Sequence, residues 1–535
     1  MLKLRILLLL MICMEMMCPV AQAEAARSAA EALVFPSDTG GWTLKNFKIK
    51  SLIIHDTEVI YDNGLFYGSM TNDEYVYVSD DLKSWKRAGI RPSGWYSPEE
   101  DNWLTWAPCY VKLRQPYVVD GEKYDYALFD ALSVWGSQHA RIRCFVMKEP
   151  APDSKADYYY VGDVMSSGKY AEKEVVDPRK SYEAEETGAE GPKYYYVEGY
   201  ERTHSVTKAN GWNAIDPTVL YDHEGRLMMV FGSWFGGIYV TELDQTTLMP
   251  VSNRAEDYTR IAYHTDGRCI EGGTVFYHDG YYYLNVAYGD ICYSYNTRIA
   301  RSERIEGPYV DYNGASMLQA NGSIGTRIVG PYKFERDKGW RGQGHCAWVY
   351  HPDTDEYFML TNGRTVEDEY ARQIVRSIYW LDGWPVLSPE MATADTVRAI
   401  LDEEGNAVQV AAAAPAVQPI DASFIPGEYE IIVFARERDQ HEDEERLDES
   451  QRITLAADGS VSGAYAGGWA MRDGNSLTMT LDGRETTLFV TVGYDWEKSR
   501  SGILVMSGLT APGETDDPLD GTAVWLKGVS TLLTE

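Results

Sequence analysis

The sequence has few cysteines, and none of them has the spacing of a metal site. The chain of 535 residues contains 7 cysteines, and two of these, Cys13 and Cys18, fall within the first 23 residues. No C-x-x-C motif occurs, so the pattern is typical of neither a disulfide scaffold nor a structural zinc site. The remaining five cysteines leave room for one disulfide, whose pairing the sequence does not decide.

Long hydrophobic runs are also missing. The apolar run Ile6–Ile12 is too short to span a bilayer. It follows a positively charged start and precedes Ala21-Gln22-Ala23, which is the pattern of a secretory signal peptide with its cleavage site. We therefore expect residues 1–23 to be a signal peptide that is cleaved near Ala23, so that the protein is secreted and has no membrane anchor.

Positive charge is scarce. The chain has 49 Lys and Arg against 81 Asp and Glu, for a formal net charge of −32. A surface this acidic repels phosphate backbones and anionic lipids, which excludes nucleic acid as a partner but not a neutral polysaccharide. The 39 tyrosines and 15 tryptophans suit β-structure and surfaces that stack on sugars.

No long segment of helical period interrupts residues 50–390. Short apolar runs alternate there with Asp-Gly, Asn-Gly and other glycine-containing turns, which predicts β-hairpins. One hairpin unit recurs as VIYDNGLFYGSM from Val59, PYVVDGEKYDYALF from Pro116, VLYDHEGRLMMVFG from Val219, VFYHDGYYYLNVAYG from Val275 and VYHPDTDEYFMLTNG from Val349. Repeated strand-and-turn units indicate a blade array. We predict an all-β fold built on a five-bladed β-propeller, because closure into a propeller protects the sheet edges.

The composition divides the chain after the signal peptide into two domains. We predict a propeller catalytic domain over residues 24–400, a linker over 401–424 and a small antiparallel β-barrel or sandwich over 425–535. The charged stretch 151–201 has no clear period, so we expect an insertion between blades two and three that is placed to shape the binding mouth.

Polar residues stand at the heads of four hairpins. Asp56, Asp216 and His345 each lie five residues before the tyrosine that ends the first strand, and Glu271 lies six before its tyrosine. The first strands of propeller blades line the axis, so these four side chains are predicted to converge at one mouth. Carboxylates brought together in this way raise at least one pKa. Such a site suits acid–base chemistry on a glycosidic bond.

Each of these residues has a plainer interpretation when taken alone. An Asp before a strand is more often a turn or capping residue, and a lone His is more often a packed structural side chain. A position repeated for structural reasons should keep one residue type, whereas this one changes from Asp to Glu to His. That change favours a single composite site. The second hairpin departs from the pattern, with Pro108 and Cys109 near the corresponding place.

At these residues the chain resembles the endo-1,5-α-L-arabinanases of glycoside hydrolase family 43, in their long form with a C-terminal β-barrel domain. The matching segments include IHDTEVIYDNGLFY, TWAPCYV, WNAIDPTVLYDHEGRLMMVFGSWFGGIYV, IEGGTVFYHDGYYYL and GQGHCAWVYHP, and the resemblance covers most of residues 50–390. It departs from the family at Thr57, where proline is usual, and at Cys109, where aspartate is commoner.

The resemblance implies roles for the four residues. Asp56 would be the general base, Glu271 the general acid, and Asp216 the residue that tunes the acid and orients the substrate. It further implies inversion of the anomeric centre and an axial calcium ion held by His345 and water molecules.

Side chains beside the predicted catalytic residues are candidates for binding the sugar. Trp106, Ser233, Trp234 and Phe235 would wall the cleft, with the aromatic rings stacking on a furanose, and Asn213 would hydrogen-bond a hydroxyl. Ordinary packing within a blade is an equal alternative for the aromatic residues.

Several functions follow from this interpretation. The first is a secreted, monomeric endo-arabinanase that acts on plant cell-wall arabinan or arabino-oligosaccharides. Alternatives are an exo-acting α-L-arabinofuranosidase or β-xylosidase on the same fold, and a carbohydrate-binding propeller without catalysis. The C-terminal domain is predicted either to bind glycan or to pack against the propeller.

Overall fold

The structure is a computed structural model. It describes residues 55–82, 85–92, 104–133, 140–167, 212–233, 235–252, 254, 257–264, 270–319, 324–392, 399–401, 407–410, 419–436, 446–498, 500–513 and 517–532. The predicted signal peptide and residues 168–201 of the predicted insertion lie outside these ranges. Within them, no helix is both long and apolar enough to cross a membrane.

Four sheets each contain four antiparallel strands that follow one another in chain order. The first comprises β1 (Glu58–Asp62), β2 (Leu65–Ser69), β3 (Tyr75–Ser79) and β4 (Lys86–Ile90). The second comprises β5 (Leu104–Val119), β6 (Glu122–Ser133), β7 (Ala140–Met147) and β8 (Tyr159–Ser167). The third comprises β9 (Thr218–Tyr221), β10 (Leu227–Ser233), β11 (Phe235–Leu243) and β12 (Thr259–Ala262). The fourth comprises β13 (Ile270–His278), β14 (Tyr281–Tyr288), β15 (Asn296–Ser302) and β16 (Thr326–Val329).

A larger sheet of seven strands follows. It comprises β17 (Tyr332–Lys333), β18 (Trp340–Arg341), β19 (Ala347–His351), β20 (Glu356–Thr365), β21 (Asp368–Leu381), β22 (Trp384–Leu387) and β26 (Asp448–Glu449). The strand order is β22-β21-β20-β18-β17-β26, and β19 also pairs with β20. Between the large sheet and the C-terminal domain, β23 (Ala399–Leu401) and β24 (Ala407–Val410) form a separate hairpin.

These sheets confirm the all-β prediction and the propeller, with four blades present as separate sheets. Four-stranded meanders arranged around an axis are the unit of that architecture. The first strands contact one another: β1 lies against β5 and β19, β5 against β9, β9 against β13, and β13 against β19. Five separate blades are not confirmed, because β19 and its neighbours belong to the larger sheet.

Two predicted boundaries fall on regular structure. The predicted insertion begins at residue 151, but β8 lies within it and pairs with β7 as the last strand of the second sheet. A short 3-10 turn, Lys155–Asp157, leads into this strand. The described part of the predicted linker contains β24 and a second 3-10 turn, Ala422–Phe424.

The C-terminal domain is a closed barrel, which decides between the predicted barrel and sandwich. Its strands are β25 (Gly427–Val433), β27 (Gln451–Leu455), β28 (Ser460–Gly463), β29 (Gly467–Asp473), β30 (Ser476–Leu481), β31 (Arg484–Asp495), β32 (Arg500–Thr510) and β33 (Ala523–Thr531). Alternating residues of these strands are buried in one apolar cluster that includes Leu488, Val490, Met506 and Leu526. β33 pairs with β25 and closes the barrel.

The barrel and the large sheet share one interior. Trp340 and Trp384 of the sheet belong to the same buried apolar cluster as Phe434 and Trp525 of the C-terminal domain. β26, which comes from the C-terminal part of the chain, pairs in parallel with β17. The C-terminal domain therefore packs against the propeller domain through a continuous core.

Candidate active site

In each four-stranded sheet and in the large sheet, one residue just before or near the start of one strand (β1, β5, β9, β13 or β19) has an unusual backbone conformation; we call these positions the strand entries. Asp56, Ala107, Asp216, Gly272 and His345 have φ angles of 57°, 42°, 53°, 58° and 46°, all in the left-handed region. Asp and His are among the residue types that tolerate this region, and alanine tolerates it poorly. Each non-glycine residue held there costs about 1–3 kcal/mol. The backbone thus favours Asp, His or Gly at these positions, whatever chemistry the side chains perform.

This conformation corrects the sequence alignment of the predicted site. The residue equivalent to Asp56, Asp216 and His345 in the fourth sheet is Gly272, and Glu271 precedes it by one residue. The register between β13 and β14 shifts between Glu271 and Thr274. This bulge explains why Glu271 lies six residues before Tyr277, whereas the spacing to the tyrosine is five residues in three of the other hairpins. In the second sheet the equivalent residue is Ala107, not Pro108 or Cys109, and it contributes no polar group.

Asp56 and His345 form an ion pair at the centre of the site. The Nδ1 atom of His345 lies 2.8 Å from Oδ1 of Asp56, and the hydroxyl of Thr71 donates to the other carboxylate oxygen. Burial alone would raise the pKa of Asp56, but the charge and hydrogen bond of His345 outweigh it and lower the pKa to about 2. Asp56 is therefore ionised throughout the physiological range.

Asp216 has the opposite electrostatic environment. Burial and the negative charges of Glu271 and Asp56 raise the pKa of Asp216 to about 7, although the charge of His345 opposes the rise. Its Oδ2 atom accepts a hydrogen bond of 3.1 Å from the backbone N–H of Gly272. One of the converging carboxyls thus has a raised pKa, as expected, but burial contributes more to the rise than the neighbouring negative charges do.

Both carboxylate oxygens of Glu271 are held. The hydroxyl of Tyr295 donates to Oε1 at 2.7 Å, and the hydroxyl of Ser233 donates to Oε2 at 3.4 Å. Tyr295 is buried, and a Cβ on Gly344 would lie 2.5 Å from its ring. The ring is therefore packed tightly against the backbone that leads into His345, and this packing orients the glutamate.

His345 stands between the carboxylates as their counter-ion. Burial would lower the pKa of His345, but the charges of Asp56, Asp216 and Glu271 raise it to about 10. Its ring lies directly against Gly272, where a Cβ would be 2.6 Å from the His345 Cγ atom. Only glycine fits at this point, since the backbone is left-handed and the space is taken by the imidazole.

The predicted sugar-binding residues differ in burial and in their contacts with the catalytic side chains. Ser233 contacts Glu271, as described above. Asn213 is only 2% exposed, and its Oδ1 atom accepts from the Ser167 hydroxyl at 3.3 Å. Trp106 is half-buried against the core between the second and third sheets. Trp234 and the side chain of Phe235 lie outside the described residues. Contact with a sugar stays a prediction for all five.

Sequence reasoning missed three residues of the site: Thr71, Tyr295 and Glu58. Thr71 also accepts from the backbone N–H of Ala107 at 2.9 Å, so it joins the first two sheets beneath Asp56. Burial raises the pKa of Glu58 to about 8, with His345 opposing. The signal for Glu58 was its position only two residues after Asp56 in the chain. No local pattern marks Thr71 or Tyr295.

The residues around His345 do not make a calcium site on their own. Within the ranges that the structure describes, no group of three or more His, Cys, Asp or Glu side chains is arranged to hold a metal ion. Calcium usually takes six to eight oxygen ligands, whereas His345 would supply a single nitrogen. With a pKa of about 10, that imidazole also holds a proton. The axial calcium ion stays a prediction.

Two family models match the chain. Residues 189–385 match the model "Glycosyl hydrolases family 43", and residues 410–515 match a family 43 "C-terminal lipocalin-like domain". The first match contains Asp216, Glu271 and His345, and the second covers most of the barrel.

The chain is also similar to characterised proteins. It is 26% identical over 464 residues to an extracellular endo-α-(1→5)-L-arabinanase of Thermotoga petrophila, covering 82% of this chain and 86% of that protein. It is 27% identical over 208 residues to an extracellular exo-α-(1→5)-L-arabinofuranosidase of Cellvibrio japonicus, covering 36% of this chain and 57% of that protein.

A solved structure shares the whole architecture. The crystal structure of endo-1,5-α-L-arabinanase from Thermotoga petrophila superposes with a TM-score of 0.66 at 24% identity, covering 90% of this chain and 99% of that one. The chain therefore contains a family 43 glycosyl hydrolase domain followed by the lipocalin-like domain of that family, and the protein is a glycoside hydrolase.

Proposed function

We propose that the protein is a secreted endo-acting hydrolase of α-1,5-linked arabinan that inverts the anomeric centre. The observation that carries the proposal is the convergence of Asp56, Asp216 and Glu271 around His345 at the entries of three first strands. The relative that matches most of the chain is named an extracellular endo-arabinanase, which supports both the polymer and the export.

Asp56 is suited to act as the general base. Its low pKa keeps the carboxylate ionised, and the hydrogen bonds from His345 and Thr71 fix its orientation. An inverting hydrolase needs such a carboxylate to take a proton from the attacking water. The cationic His345 beside it compensates for the negative charge before the water arrives.

Glu271 is suited to act as the general acid. A proton on its carboxyl would pass to the glycosidic oxygen as the bond to the leaving sugar breaks. Tyr295 and Ser233 hold its two oxygens, so the carboxyl enters the reaction in one orientation. Asp216 lies close enough for its charge to interact with that of Glu271, which supports a role in tuning the acid.

The same proposal includes a fifth blade within the large sheet. Its strands would be β19 to β22, which pair in antiparallel order. Two features support this assignment: β19 contacts both β13 and β1, and His345 has the left-handed conformation found at the entries of the four other first strands. Five blades would then close the ring around the axis.

Substrate contacts and the cation complete the proposal. We expect Trp106, Trp234 and Phe235 to stack on arabinofuranose rings, and Asn213 and Ser233 to lie beside them, with the protein acting as a monomer.

The proposed calcium ion is tested separately. If calcium binds, His345 must first lose its proton. A thermal melt before and after treatment with EDTA measures whether a bound cation stabilises the protein, and an unchanged Tm would remove calcium from the proposal.

An exo-acting enzyme is the second candidate, because an exo-acting relative matches part of the chain. The test is product analysis on debranched arabinan with the wild type, Glu271→Gln and the surface control Glu122→Gln. We expect mixed oligosaccharides from the wild type and the control. Loss of the acid should lower kcat by about 10²–10⁴-fold.

The products decide between the candidates. Arabinose as the sole early product would indicate exo action. Arabinan hydrolysis by Glu271→Gln at the wild-type rate would show that Glu271 is not the acid. No hydrolysis of arabinan by the wild type would overturn the substrate, and other glycosides of this family would then be tested.

A further inference from the structure

A cavity of about 110 Å³ lies between the large sheet and the C-terminal barrel; we call it the interface cavity. Asp337, which precedes β18, and Glu390, which follows β22, line it from the propeller domain, and Trp496 and Glu497 line it from the turn between β31 and β32. The first pair is buried and the second only partly buried, so solvent reaches the cavity beside the barrel residues. Both domains therefore form this site, and its lining does not include the catalytic carboxylates.

Aromatic rings make up half of the lining. They are those of Tyr332, Phe334, Trp340 and Trp496. Two of the rings already face protein cations, because the ammonium of Lys527 lies 4.4 Å from the centroid of Phe334 and the guanidinium of Arg376 lies 5.4 Å from that of Tyr332. Among the described residues, no Lys or Arg lies over either tryptophan. Tryptophan attracts cations more strongly than the other aromatic residues do, so this part of the lining suits a further cation.

Three carboxylates, Asp337, Glu390 and Glu497, line the same cavity. Lys527 donates to Oδ2 of Asp337 at 2.7 Å and lies 3.1 Å from Oε1 of Glu390, and the indole N–H of Trp340 donates to Glu497 at 3.2 Å. Oδ1 of Asp337 is buried and accepts no hydrogen bond; the ammonium of Lys498 is 3.5 Å from it. Buried polar atoms normally have a hydrogen-bond partner, and a ligand in the cavity could supply the donor.

The interface has more carboxylates than cations. Its ion pairs involve the cations Lys498, Arg500 and Lys527 and the carboxylates Asp337, Glu390, Glu430 and Asp495. Glu497 is a fifth carboxylate, and Lys338, which faces it, pairs with Glu367 at 3.8 Å. Five carboxylates and three cations leave a formal charge of −2 around the cavity. A buried carboxylate is costly unless it is paired, so the interface favours an additional positive charge.

The carboxyls that line the cavity respond to their surroundings. Burial raises the pKa of Glu390 to about 7, with the charges of Asp495 and Asp337 adding to the rise and Lys527 opposing it. Burial, followed by the charge of Asp337, raises the pKa of Glu497. Ionising either group in this interface is therefore unfavourable, and a positive charge in the cavity would reduce that cost.

Size and charge select the class of ligand. A cavity of about 150 Å³ holds benzene, so the smaller interface cavity admits a ligand of about six non-hydrogen atoms or fewer and not a pentose. The excess of carboxylates repels anions. Within the described ranges, no three His, Cys, Asp or Glu side chains are arranged to hold a metal ion. A protonated amine fits, because its N–H groups donate to carboxylates and its charge and alkyl part pack on indole rings.

We propose that the interface cavity binds a small protonated amine, with its ammonium group among Asp337, Glu390 and Glu497 and its alkyl part against Trp340 and Trp496. The ligand would contact both domains, so its binding would hold the barrel against the large sheet and stabilise the folded protein. The inference does not depend on the substrate of the active site.

Saturation-transfer NMR on the whole protein tests the proposal with ethylammonium as the probe. A ligand of three non-hydrogen atoms binds with a Kd no tighter than on the order of 1 mM, so the titration passes through that concentration. Sodium chloride at about 0.15 M screens attraction to the acidic surface as a whole. Tetramethylammonium, which has the same charge but no N–H donor, is the control ligand, and thermal melts in each salt measure the effect on stability.

Four variants locate the binding site. Glu497→Gln removes a charge but keeps an oxygen for the indole N–H of Trp340. Met391→Phe adds atoms to a side chain that lines the cavity. Glu122→Gln removes a surface carboxylate that is 60% exposed, and Glu271→Gln removes one from the active site. A thermal melt of each variant without amine establishes that it is folded.

We expect ethylammonium to bind saturably to the wild type, Glu122→Gln and Glu271→Gln, and to raise their Tm above that in sodium chloride. Glu497→Gln should bind it about tenfold more weakly, and the wild type should bind tetramethylammonium about tenfold more weakly, because a hydrogen bond to a charged group commonly contributes a factor of this size. Met391→Phe should not bind, since its larger side chain occupies the cavity.

Several results would overturn the inference: no saturable binding, equal binding of the two ammonium ions, or unchanged binding in both Glu497→Gln and Met391→Phe. Loss of binding in Glu271→Gln alone would place the amine in the active site instead. Displacement of ethylammonium by an equal concentration of potassium would show that the cavity takes an inorganic cation. None of these measurements involves arabinan, so the proposed function stands or fails separately.

Discussion

The propeller and the C-terminal barrel close β-strands around an axis in two different ways. The axis of the propeller carries Asp56, Asp216, Glu271 and His345 at one end, held by left-handed strand entries and a bulge. The barrel fills its axis with apolar side chains, and Leu488 and Met506 have no exposed surface. The matching family model is named lipocalin-like, yet alternation in these strands builds a packed core.

The comparison shows that closing β-strands into a ring or a barrel does not by itself create a catalytic site. In the barrel, regular alternation directs one face of each strand inward, and the interior is used for stability. In the propeller, the first strands enter the ring through residues that break regular geometry, and three of them, Asp56, Asp216 and His345, bring polar side chains together at the axis. The strain there is supported by the packed sheets around it. The predictions below test this division, from the largest expected effect to the smallest.

The interface between the large sheet and the C-terminal barrel, which we call the joint, should be where removal of a single charge destabilises the protein most. Lys527 is 1% exposed and pairs with Asp337 at 2.7 Å and Glu390 at 3.1 Å. Lys527→Met leaves buried carboxylates without their cation, which should lower the free energy of unfolding by about 3–5 kcal/mol. Denaturant unfolding measures this.

Lys148→Met, which breaks the exposed pair with Glu122, is the matched control and should cost less than about 1 kcal/mol. Equal losses for the two variants would show that the joint is no more critical than the surface, and the shared interior would then have little energetic meaning.

The stability of the barrel should depend on the volume of the apolar side chains that fill its interior and not on charged groups. Leu488→Ala should destabilise the protein by about 2–5 kcal/mol, because the deleted methyl groups leave a cavity in a close-packed core. The rate of hydrolysis per folded molecule should stay at the wild-type value. A loss of rate without a loss of stability would contradict a purely structural role for the barrel.

The joint should also make stability depend on pH. Burial, opposed by Lys527, raises the pKa of Glu390 from 4.5 to about 7. The folded state therefore binds this proton more tightly, so its stabilising effect is present below pH 4.5 and is lost as the pH rises through 7. The loss amounts to about 3 kcal/mol at most.

Glu390→Gln removes that titration. Its free energy of unfolding should fall less steeply than that of the wild type between pH 5 and 7, as measured in urea at several pH values. Parallel curves for the two proteins would rule out Glu390 as the titrating group.

The propeller axis should respond to displaced atoms. Gly272→Ala places a Cβ 2.6 Å from the His345 ring, and a shift of this size in an active site can lower kcat by about 100-fold. Ala107→Gly is the control, because it relieves the same backbone conformation in the second sheet without adding an atom. It should keep its activity and gain about 1 kcal/mol of stability, whereas full activity in Gly272→Ala would show that His345 need not keep its position.

The hydrogen bond that supports Glu271, the proposed general acid, should give the smallest of these effects. Tyr295→Phe keeps the packed ring and removes the hydroxyl that donates to Glu271. A hydrogen bond to a charged group contributes about 1.5 kcal/mol or more, so kcat should fall about tenfold while KM changes little. A change in KM alone would instead indicate that Tyr295 contacts substrate.

The sequence by itself determined the local structure and most of the candidate site residues. The alternating runs and Asp-Gly turns around Val59, Val219 and Val275 encode hairpins, because strand period and turn chemistry are properties of neighbouring residues. The repeated frame also identified Asp56, Asp216 and His345. The strands of the C-terminal domain were predictable for the same reason, since they alternate and are separated by turns, but the sequence left open whether they form a barrel or a sandwich.

Only the tertiary structure decided how distant residues meet. Thr71 under Asp56, Tyr295 on Glu271 and Lys527 among the carboxylates of the joint are separated from their partners by 15 to 190 residues. The bulge that displaces Glu271 from its repeat depends on the pairing of β13 with β14, and the joining of the large sheet to β26 depends on docking of the barrel. Packing between strands far apart in the chain fixes these contacts, and no local pattern encodes them.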